Sequence, residues 1–135
     1  MLSEEKITLS RLRLQKAKEC LTDAALLGDN GSYKSLTNRS YYAVFHAMRA
    51  VLALDGFDSK KHSGVIAEFQ KIYIKSGIFE KELSAIIRSL FLARNNSDYD
   101  DFFFIAKEDA LKQHENAILF VKEIEKYLQE QYNKQ

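Results

Sequence analysis

The chain contains no proline, only five glycines and one cysteine in its 135 residues. Because nothing compels a helix to break, this composition favours long helices over a turn-rich sheet fold. Cys20 can form no internal disulfide and has no CxxC partner, which excludes a disulfide framework and a cysteine-rich zinc site. No window approaches 18 uninterrupted apolar residues, and the first turns mix both charges. We therefore expect a cytoplasmic protein without signal peptide, membrane span or membrane association.

The remaining composition is that of an ordinary folded domain. Apolar residues make up 46% of the chain and charged residues 29%, with a net charge of +1. These values exclude a disordered chain, and the totals do not indicate a strongly basic nucleic-acid binder. We expect one helical domain over residues 1–135, long enough to bury roughly two thirds of its unfolded surface.

Short polar breaks divide the chain into five helical stretches. The breaks lie at 28–32, 55–64, 76–77 and 95–101. The first stretch, about 4–28, and the last, about 107–132, each carry apolar residues at spacings of three and four, so each has one buried stripe. Because short connections favour antiparallel neighbours, the sequence predicts an all-α, up-and-down bundle of about four long helices plus a shorter one.

The second stretch, about 32–55, is apolar around most of its circumference, which is typical of a central helix. One narrow polar stripe interrupts it, formed by Arg39, Tyr42, His46 and Arg49. The stripe is either the solvent side, with arginine stems covering the core and His46 in a local hydrogen bond, or one wall of a functional cleft.

The fourth stretch, about 79–94, carries Arg94 in the middle of its apolar stripe at the expected helix end. A cation at that end is favoured by the helix dipole, with residues 95–97 as the C-cap. Alternatively, an inward guanidinium followed by Asp98, Tyr99 and two further aspartates forms one wall of a polar cleft. An inward arginine requires a carboxylate or an anionic ligand.

Charge is distributed unevenly along the chain. Residues 32–75 carry seven cations and three acids, whereas residues 80–109 carry four cations and seven acids. Either two solvated faces pack against each other, or a phosphate-binding patch lies beside an acidic rim. At the start of the third helix we expect Ser59 as N-cap, with Lys61 and His62 placed to bind a phosphate. His114 is predicted to be a satisfied core histidine.

The familiar ligand motifs HExxH, the EF-hand loop, GxxxxGK[ST] and GxGxxG do not occur. Zinc-protease, calcium-binding, P-loop and Rossmann functions therefore have no supporting residues. The sequence implies no metal and no cofactor.

Two segments together resemble the HEPN family, the higher-eukaryote and prokaryote nucleotide-binding domain. They are NRSYYAVFHAMRAVLALDGFDSKKHSGV and GIFEKELSAIIRSLFLARNNSDYDDF, and the resemblance runs from about Leu12 to Leu128. The chain looks most similar to small prokaryotic HEPN proteins that are often encoded beside a minimal nucleotidyltransferase. This resemblance implies a compact helical bundle, usually a homodimer in which the clefts of two protomers face each other.

HEPN toxins share an R-x4-6-H motif and cleave RNA without a metal. The resemblance implies that Arg94 holds the scissile phosphate and stabilises the transition state, while a histidine assists proton transfer. Here the positions four to seven after Arg94 are Asp98, Tyr99, Asp100 and Asp101, so the motif histidine is missing. Arg39 and His46 have the R-x6-H spacing but lie on a different helix.

Three functions remain open. The first is the HEPN partner of a nucleotidyltransferase in a toxin–antitoxin-like system, with weak or lost catalysis and a cleft for nucleotide or RNA. Its phosphate-binding candidates are Arg39, Tyr42, Arg49, Lys61 and His62, and its catalytic candidates are Arg94, Asp98, Tyr99 and His46. The second is an active metal-independent endoribonuclease that uses His46 or His62 instead of the motif histidine. The third is a non-catalytic structural subunit.

Two structural expectations follow. The polar stripe of the second helix should face Arg94 across one cleft, because two inward polar sets are most readily satisfied by each other. Phe102, Phe103 and Phe104 span about 200° of a helical projection, so they cannot all face one core. We therefore expect at least one to be exposed or covered by a second copy of the chain.

Tyr99 loosely matches the place where related nucleotidyltransferase–HEPN pairs carry a tyrosine that accepts an adenylyl group.

Overall fold

The computed structural model describes residues 2–135. Its helices are α1 (Glu4–Asp29), α2 (Tyr33–Leu54), α3 (His62–Phe69), α4 (Glu82–Tyr99) and α5 (Lys107–Asn133), and a π-helical turn (Gln70–Ile74) directly follows α3. Residues 2–135 contain no strand. The predicted all-α bundle is confirmed. No helix within this described part is long and apolar enough to cross a membrane.

Helix α2 lies at the centre of the bundle, as its apolar circumference predicts. It packs against α1, α3, α4 and α5. Most of its apolar side chains are completely buried, among them Ala43, Val44, Ala47, Met48 and Val51. The polar stripe is consequently the part of α2 that the neighbouring helices leave accessible.

Two glycines allow α1 and α2 to form a tight hairpin. Gly31 has φ +76°, in the left-handed region that L side chains rarely adopt. At Gly28 an added Cβ would lie 2.7 Å from Cδ1 of Leu36, so a larger residue would force the Leu36 side chain to shift. The hairpin fixes the polar stripe of α2 next to α1.

A buried hydroxyl pair connects three helices. Oγ of Ser10 on α1 lies 2.7 Å from the carbonyl oxygen of Ala50 on α2 and 2.6 Å from the hydroxyl of Tyr132 on α5. Ser10 is completely buried and Tyr132 is nearly so. Because buried polar groups are costly unless paired, this contact favours one register of α1 against its neighbours.

Helix α4 differs from the prediction at both ends. It begins at Glu82 instead of 79 and continues to Tyr99, so residues 95–97 are not its C-cap. The amide of Asp100 still donates to the carbonyl of Asn96. Burial of Ser97 and the Arg94–Asp98 ion pair one turn apart stabilise this last turn, although asparagine and serine are poor helix formers.

Two further predictions are wrong. Ser59 does not cap α3, because the cap position is Lys61 and no side chain caps the helix; Ser59 Oγ instead accepts from the Lys61 amide at 3.2 Å. His114 is only partly buried, and its Nε2 has no hydrogen-bond partner. It lies at the edge of a surface pocket between α1 and α5, so it is not a satisfied core residue.

Candidate functional site

Arg94 on α4 contacts the polar stripe of α2. Its Nη2 donates to the hydroxyl of Tyr42 at 3.2 Å. Its Cζ lies 5.6 Å from the ring centre of Tyr41 and 5.7 Å from that of Tyr42, within the range of cation–π attraction. Because α4 continues to Tyr99, Arg94 is not the last residue of the helix but lies more than one turn before its end. The structure thus brings the expected inward arginine against the stripe.

Asp98 balances the charge of Arg94 incompletely. Its Oδ2 lies 2.9 Å from Nε of Arg94, but the Nε–H makes no aligned hydrogen bond. Nη1 of Arg94 lies 3.5 Å from Oδ1 of Asn95, at the outer limit of a hydrogen bond. The side chain of Arg94 is 19% exposed. Nη1 and Nη2 have one partner each, so the guanidinium keeps two N–H groups that a bound anion can use.

His62, at the start of α3, packs against the aromatic rings of Tyr41, Tyr42 and Phe45. Its ring stacks on Phe45 with centres 4.1 Å apart and meets Tyr42 edge-on at 5.8 Å. Its Nδ1 is 2.7 Å from the hydroxyl of Tyr41, whose pKa is raised chiefly by burial. Burial, followed by the positive charges of Arg94 and Arg49, lowers the pKa of His62. His62 is therefore neutral near pH 7.

Arg39 and His46 also lie close to the Tyr42 ring. Cζ of Arg39 lies 4.9 Å from the Tyr42 ring centre, and its guanidinium donates to Oδ1 of Asn38 at 2.8 Å. The ring of His46 is 6.1 Å from that of Tyr42, and its Nδ1 is buried without a partner. Burial, together with the charges of nearby arginines and Lys16, lowers the pKa of His46 to about 4. If the stripe were only the solvent side of α2, His46 would make a local hydrogen bond, but its Nδ1 makes none.

A groove opens between α2 and α4, beside the side chains of Tyr42 and Arg94. Its volume is about 480 Å³. Arg39 and Asp98 line it from opposite helices, together with Lys34 and Asn38. The groove is large enough for a phosphate and a sugar, and its charged lining is typical of a site for a polar ligand.

Three predicted site residues make no hydrogen bond or ring contact with Tyr42. Tyr99 is 82% exposed at the end of α4, and Lys61 is exposed before α3. Arg49 donates through Nη2 to both carboxylate oxygens of Asp58, at 3.0 and 3.2 Å. Within residues 2–135 no three histidine, cysteine, aspartate or glutamate side chains are grouped to hold a metal ion.

Sequence reasoning missed three residues of this region. Tyr41 falls in the apolar sector of α2, so the helical projection assigned it to the core, although its hydroxyl meets His62. Arg13 of α1 and Asp58 of the α2–α3 loop form an ion pair at 3.1 Å. No spacing rule relates residues 45 positions apart, so the sequence contains no signal for this pair.

Comparison with known proteins agrees with the resemblance noted in the sequence. The HEPN domain family matches residues 10–131. A UPF0332 protein of Thermotoga maritima is 35% identical over 116 residues, which are 86% of this chain and 88% of that protein. Two proteins of Methanocaldococcus jannaschii carry the names Putative toxin MJ0142 and Putative toxin MJ0605. They are 31% and 32% identical, over 85% and 87% of this chain and 78% and 87% of their own lengths. A family match over nine tenths of the chain, with relatives of this similarity along most of their length, establishes that this chain belongs to the HEPN domain family.

Proposed function

We propose that this protein is the toxin-like HEPN component of a two-component system with a nucleotidyltransferase, and that it binds RNA or nucleotide phosphate in the cleft beside Arg94. The toxin-like role is supported by two relatives that are named toxins. The phosphate site is supported by the arrangement of Arg94, Tyr42 and His62 described above.

The observation that carries the proposal is the incomplete pairing of Arg94. A buried structural arginine normally has its donors satisfied. Here Nη1 and Nη2 carry four N–H groups but have only two partners, Asn95 and Tyr42, and the Asp98 carboxylate that pairs with Nε is one third exposed. A guanidinium offers two parallel hydrogen bonds to a phosphate and remains charged at every working pH. Arg39, whose Cζ also lies over the Tyr42 ring, and Lys34 supply further cations in the adjoining groove.

Binding can be tested with a labelled single-stranded RNA at low salt. Arg94→Ala is expected to weaken binding about tenfold to a hundredfold, because a charge-assisted hydrogen bond contributes roughly 1.5 to 3 kcal/mol. The matched control is Arg88→Ala, which removes an exposed arginine from the same helix. If both variants bind equally well, Arg94 is a structural side chain and the non-catalytic structural alternative is correct.

A second candidate function, metal-independent RNA cleavage, is favoured by the position of His62. Arg94 is close enough for its charge to lower the pKa of His62, and a neutral imidazole can accept a proton from a ribose hydroxyl. His62 therefore replaces the missing motif histidine in this alternative. His46 is the other candidate, since its Nδ1 is unpartnered.

Cleavage is tested by digesting RNA in the presence of EDTA. Activity would yield 2′,3′-cyclic phosphate ends and be lost in His62→Ala or His46→Ala. RNA that binds but stays intact would instead support the weakly catalytic or non-catalytic component of the main proposal.

The two-component role is tested in a bacterial host. Expression of the chain alone is expected to slow growth, and co-expression of the nucleotidyltransferase encoded beside it is expected to restore growth. Arg94→Ala should remove the growth defect. A chain that is harmless with and without its neighbour would contradict the toxin-like role.

A further inference from the structure

Two arginines from different helices meet at one carboxylate. Nη2 of Arg13 on α1 lies 3.1 Å from Oδ2 of Asp58, and Nη2 of Arg49 on α2 lies 3.0 Å from the same oxygen. Nη1 of Arg13 also donates to the backbone carbonyl of Arg49 at 3.3 Å. Arginines hold a phosphate group in the same way, with guanidinium N–H groups directed at its oxygens.

Positive charge exceeds negative charge around this carboxylate. Arg13, Lys16, Arg39 and Arg49 all lie close enough to lower the pKa of His46 by their charges. Within residues 2–135, Lys16 and Arg39 have no ion pair, and the two others share Asp58. Asp58 therefore neutralises only one of the two arginines that it pairs with, which leaves a local field that attracts a further anion.

The partners of Asp58 are fixed, whereas Asp58 itself is accessible. The side chain of Arg13 is 9% exposed and that of Arg49 is 24% exposed, but that of Asp58 is 50% exposed. Asp58 belongs to the loop between α2 and α3, while both arginines are on helices. A carboxylate on a loop can leave more readily than guanidiniums on packed helices, so the site can open without unfolding the bundle.

His46 supplies an unused polar atom in the same neighbourhood. Its buried Nδ1 has no partner, although an unpaired buried nitrogen is unfavourable. His46 lies one turn of α2 before Arg49, so a phosphate held by Arg13 and Arg49 would lie on the face of the helix that carries this ring.

We propose that Arg13 and Arg49 form a second phosphate subsite, which the carboxylate of Asp58 occupies in the free protein and which a phosphate of the ligand takes over. The proposal rests on the proposed function, since the subsite adjoins the Arg94 cleft through His62. Cζ of Arg49 lies 5.9 Å from the ring centre of Phe45, which stacks on His62, and Arg94 lies over Tyr41, whose hydroxyl meets His62. A ligand that spans both places must carry at least two phosphate groups.

The first test uses the wild-type chain and the amide of Ser59. This amide donates to Oδ1 of Asp58 at 2.8 Å, so its NMR signal reports whether Asp58 is in place. Titration with pyrophosphate is expected to shift the Ser59 signal in a saturable way. A Ser59 signal that does not respond to pyrophosphate would overturn the proposal. Parallel titrations with ADP and with a pentauridylate show whether a nucleotide or a polynucleotide backbone is the better source of the phosphate.

The second test removes the competing charge. Asp58→Asn keeps an oxygen acceptor but loses the anion, and it is expected to increase pyrophosphate affinity about threefold to tenfold. The control Asp23→Asn makes the same change of net charge at an exposed position of α1. Equal affinity of the two variants would mean that Asp58 serves only to neutralise Arg13, and would contradict the subsite.

Failure of the subsite and failure of the proposed function give different results. If Arg94→Ala weakens RNA binding but Ser59 never responds, the Arg94 cleft stands and the second subsite is wrong. If Ser59 responds to pyrophosphate while Arg94→Ala leaves RNA binding unchanged, the subsite stands and the proposed function is wrong.

Discussion

At the residue scale, Arg94 and Asp98 face each other one helical turn apart in α4. A partly exposed ion pair of this kind contributes little to stability, about 0.3 to 0.5 kcal/mol for pairs at this spacing. Its main consequence is therefore electrostatic, because Asp98 competes with any anion that approaches Arg94.

Asp98→Asn tests this competition. The substitution is expected to strengthen RNA or phosphate binding about twofold to fivefold, since it removes a negative charge 2.9 Å from the guanidinium. The measurement is the same binding titration as for Arg94→Ala, with Asp109→Asn on α5 as control. Weaker binding in Asp98→Asn would show that the carboxylate positions Arg94 instead of competing with the ligand.

His46 makes stability dependent on pH. Its pKa in the folded chain is about 4, below the ordinary value of 6.5, so the unfolded chain binds more protons between these two values. The free energy of unfolding is therefore complete above pH 6.5 and falls as the pH drops towards 4, by on the order of 1 to 2 kcal/mol for this partly exposed ring.

His46→Gln should reduce this loss, as measured by urea unfolding at pH 7 and pH 4.5. His62 acts in the same direction because its pKa is also lowered, so part of the dependence will remain. A variant with the full wild-type decrease would show that His46 does not titrate in this range.

At the scale of the helices, the Ser10–Tyr132 contact determines how α1, α2 and α5 fit together. Ser10→Ala leaves the buried Tyr132 hydroxyl without this partner and is expected to lower the free energy of unfolding by about 1 to 3 kcal/mol. Urea denaturation measures this effect. Thr22→Ala is the control, because it removes an exposed hydroxyl that bonds only within α1 and should change stability by less than about 0.5 kcal/mol.

A double-mutant cycle separates the contact from the loss of the serine itself. Tyr132→Phe should cost less in the Ser10→Ala background than in the wild type. Additive effects of the two substitutions would mean that the hydroxyls do not interact.

At the scale of the whole molecule, apolar surface remains uncovered where α4 leads into α5. Phe102 is 93% exposed and Phe104 is 84% exposed, so at least one of the three phenylalanines is exposed as expected, although they lie in the connection between α4 and α5 and not in a helix. Leu92, on the neighbouring face of α4, is 60% exposed, and with Phe104 it lines a surface groove of about 430 Å³. Exposed patches of this kind are typical of interaction surfaces.

We expect this surface to be covered by a second copy of the chain. Sedimentation should give a dimer at tens of micromolar, and Phe104→Ser should shift it towards the monomer. Leu26→Ser is the control, because it removes a leucine that is 63% exposed on α1. A monomeric wild type would contradict the homodimer.

The sequence by itself determined the helical class, the central position of α2 and the residues of its polar stripe. These properties depend on local periodicity and on the absence of proline, which act over one or two helical turns. The family was also readable, because the segments around Arg39 and Arg94 resemble HEPN segments in their residues, order and spacing. Inward placement of Arg94 followed from the same 100° rotation per residue.

Only the tertiary structure decided where α4 ends and which polar groups meet. Burial of Ser97 extends the helix past two asparagines, an effect of packing that no local propensity contains. The contacts of Tyr42 with Arg94, of Tyr41 with His62 and of Asp58 with Arg13 join residues 52, 21 and 45 positions apart. Such pairs depend on how whole helices pack, so the sequence supplied the charged and aromatic residues and the packing of the bundle made a site of them.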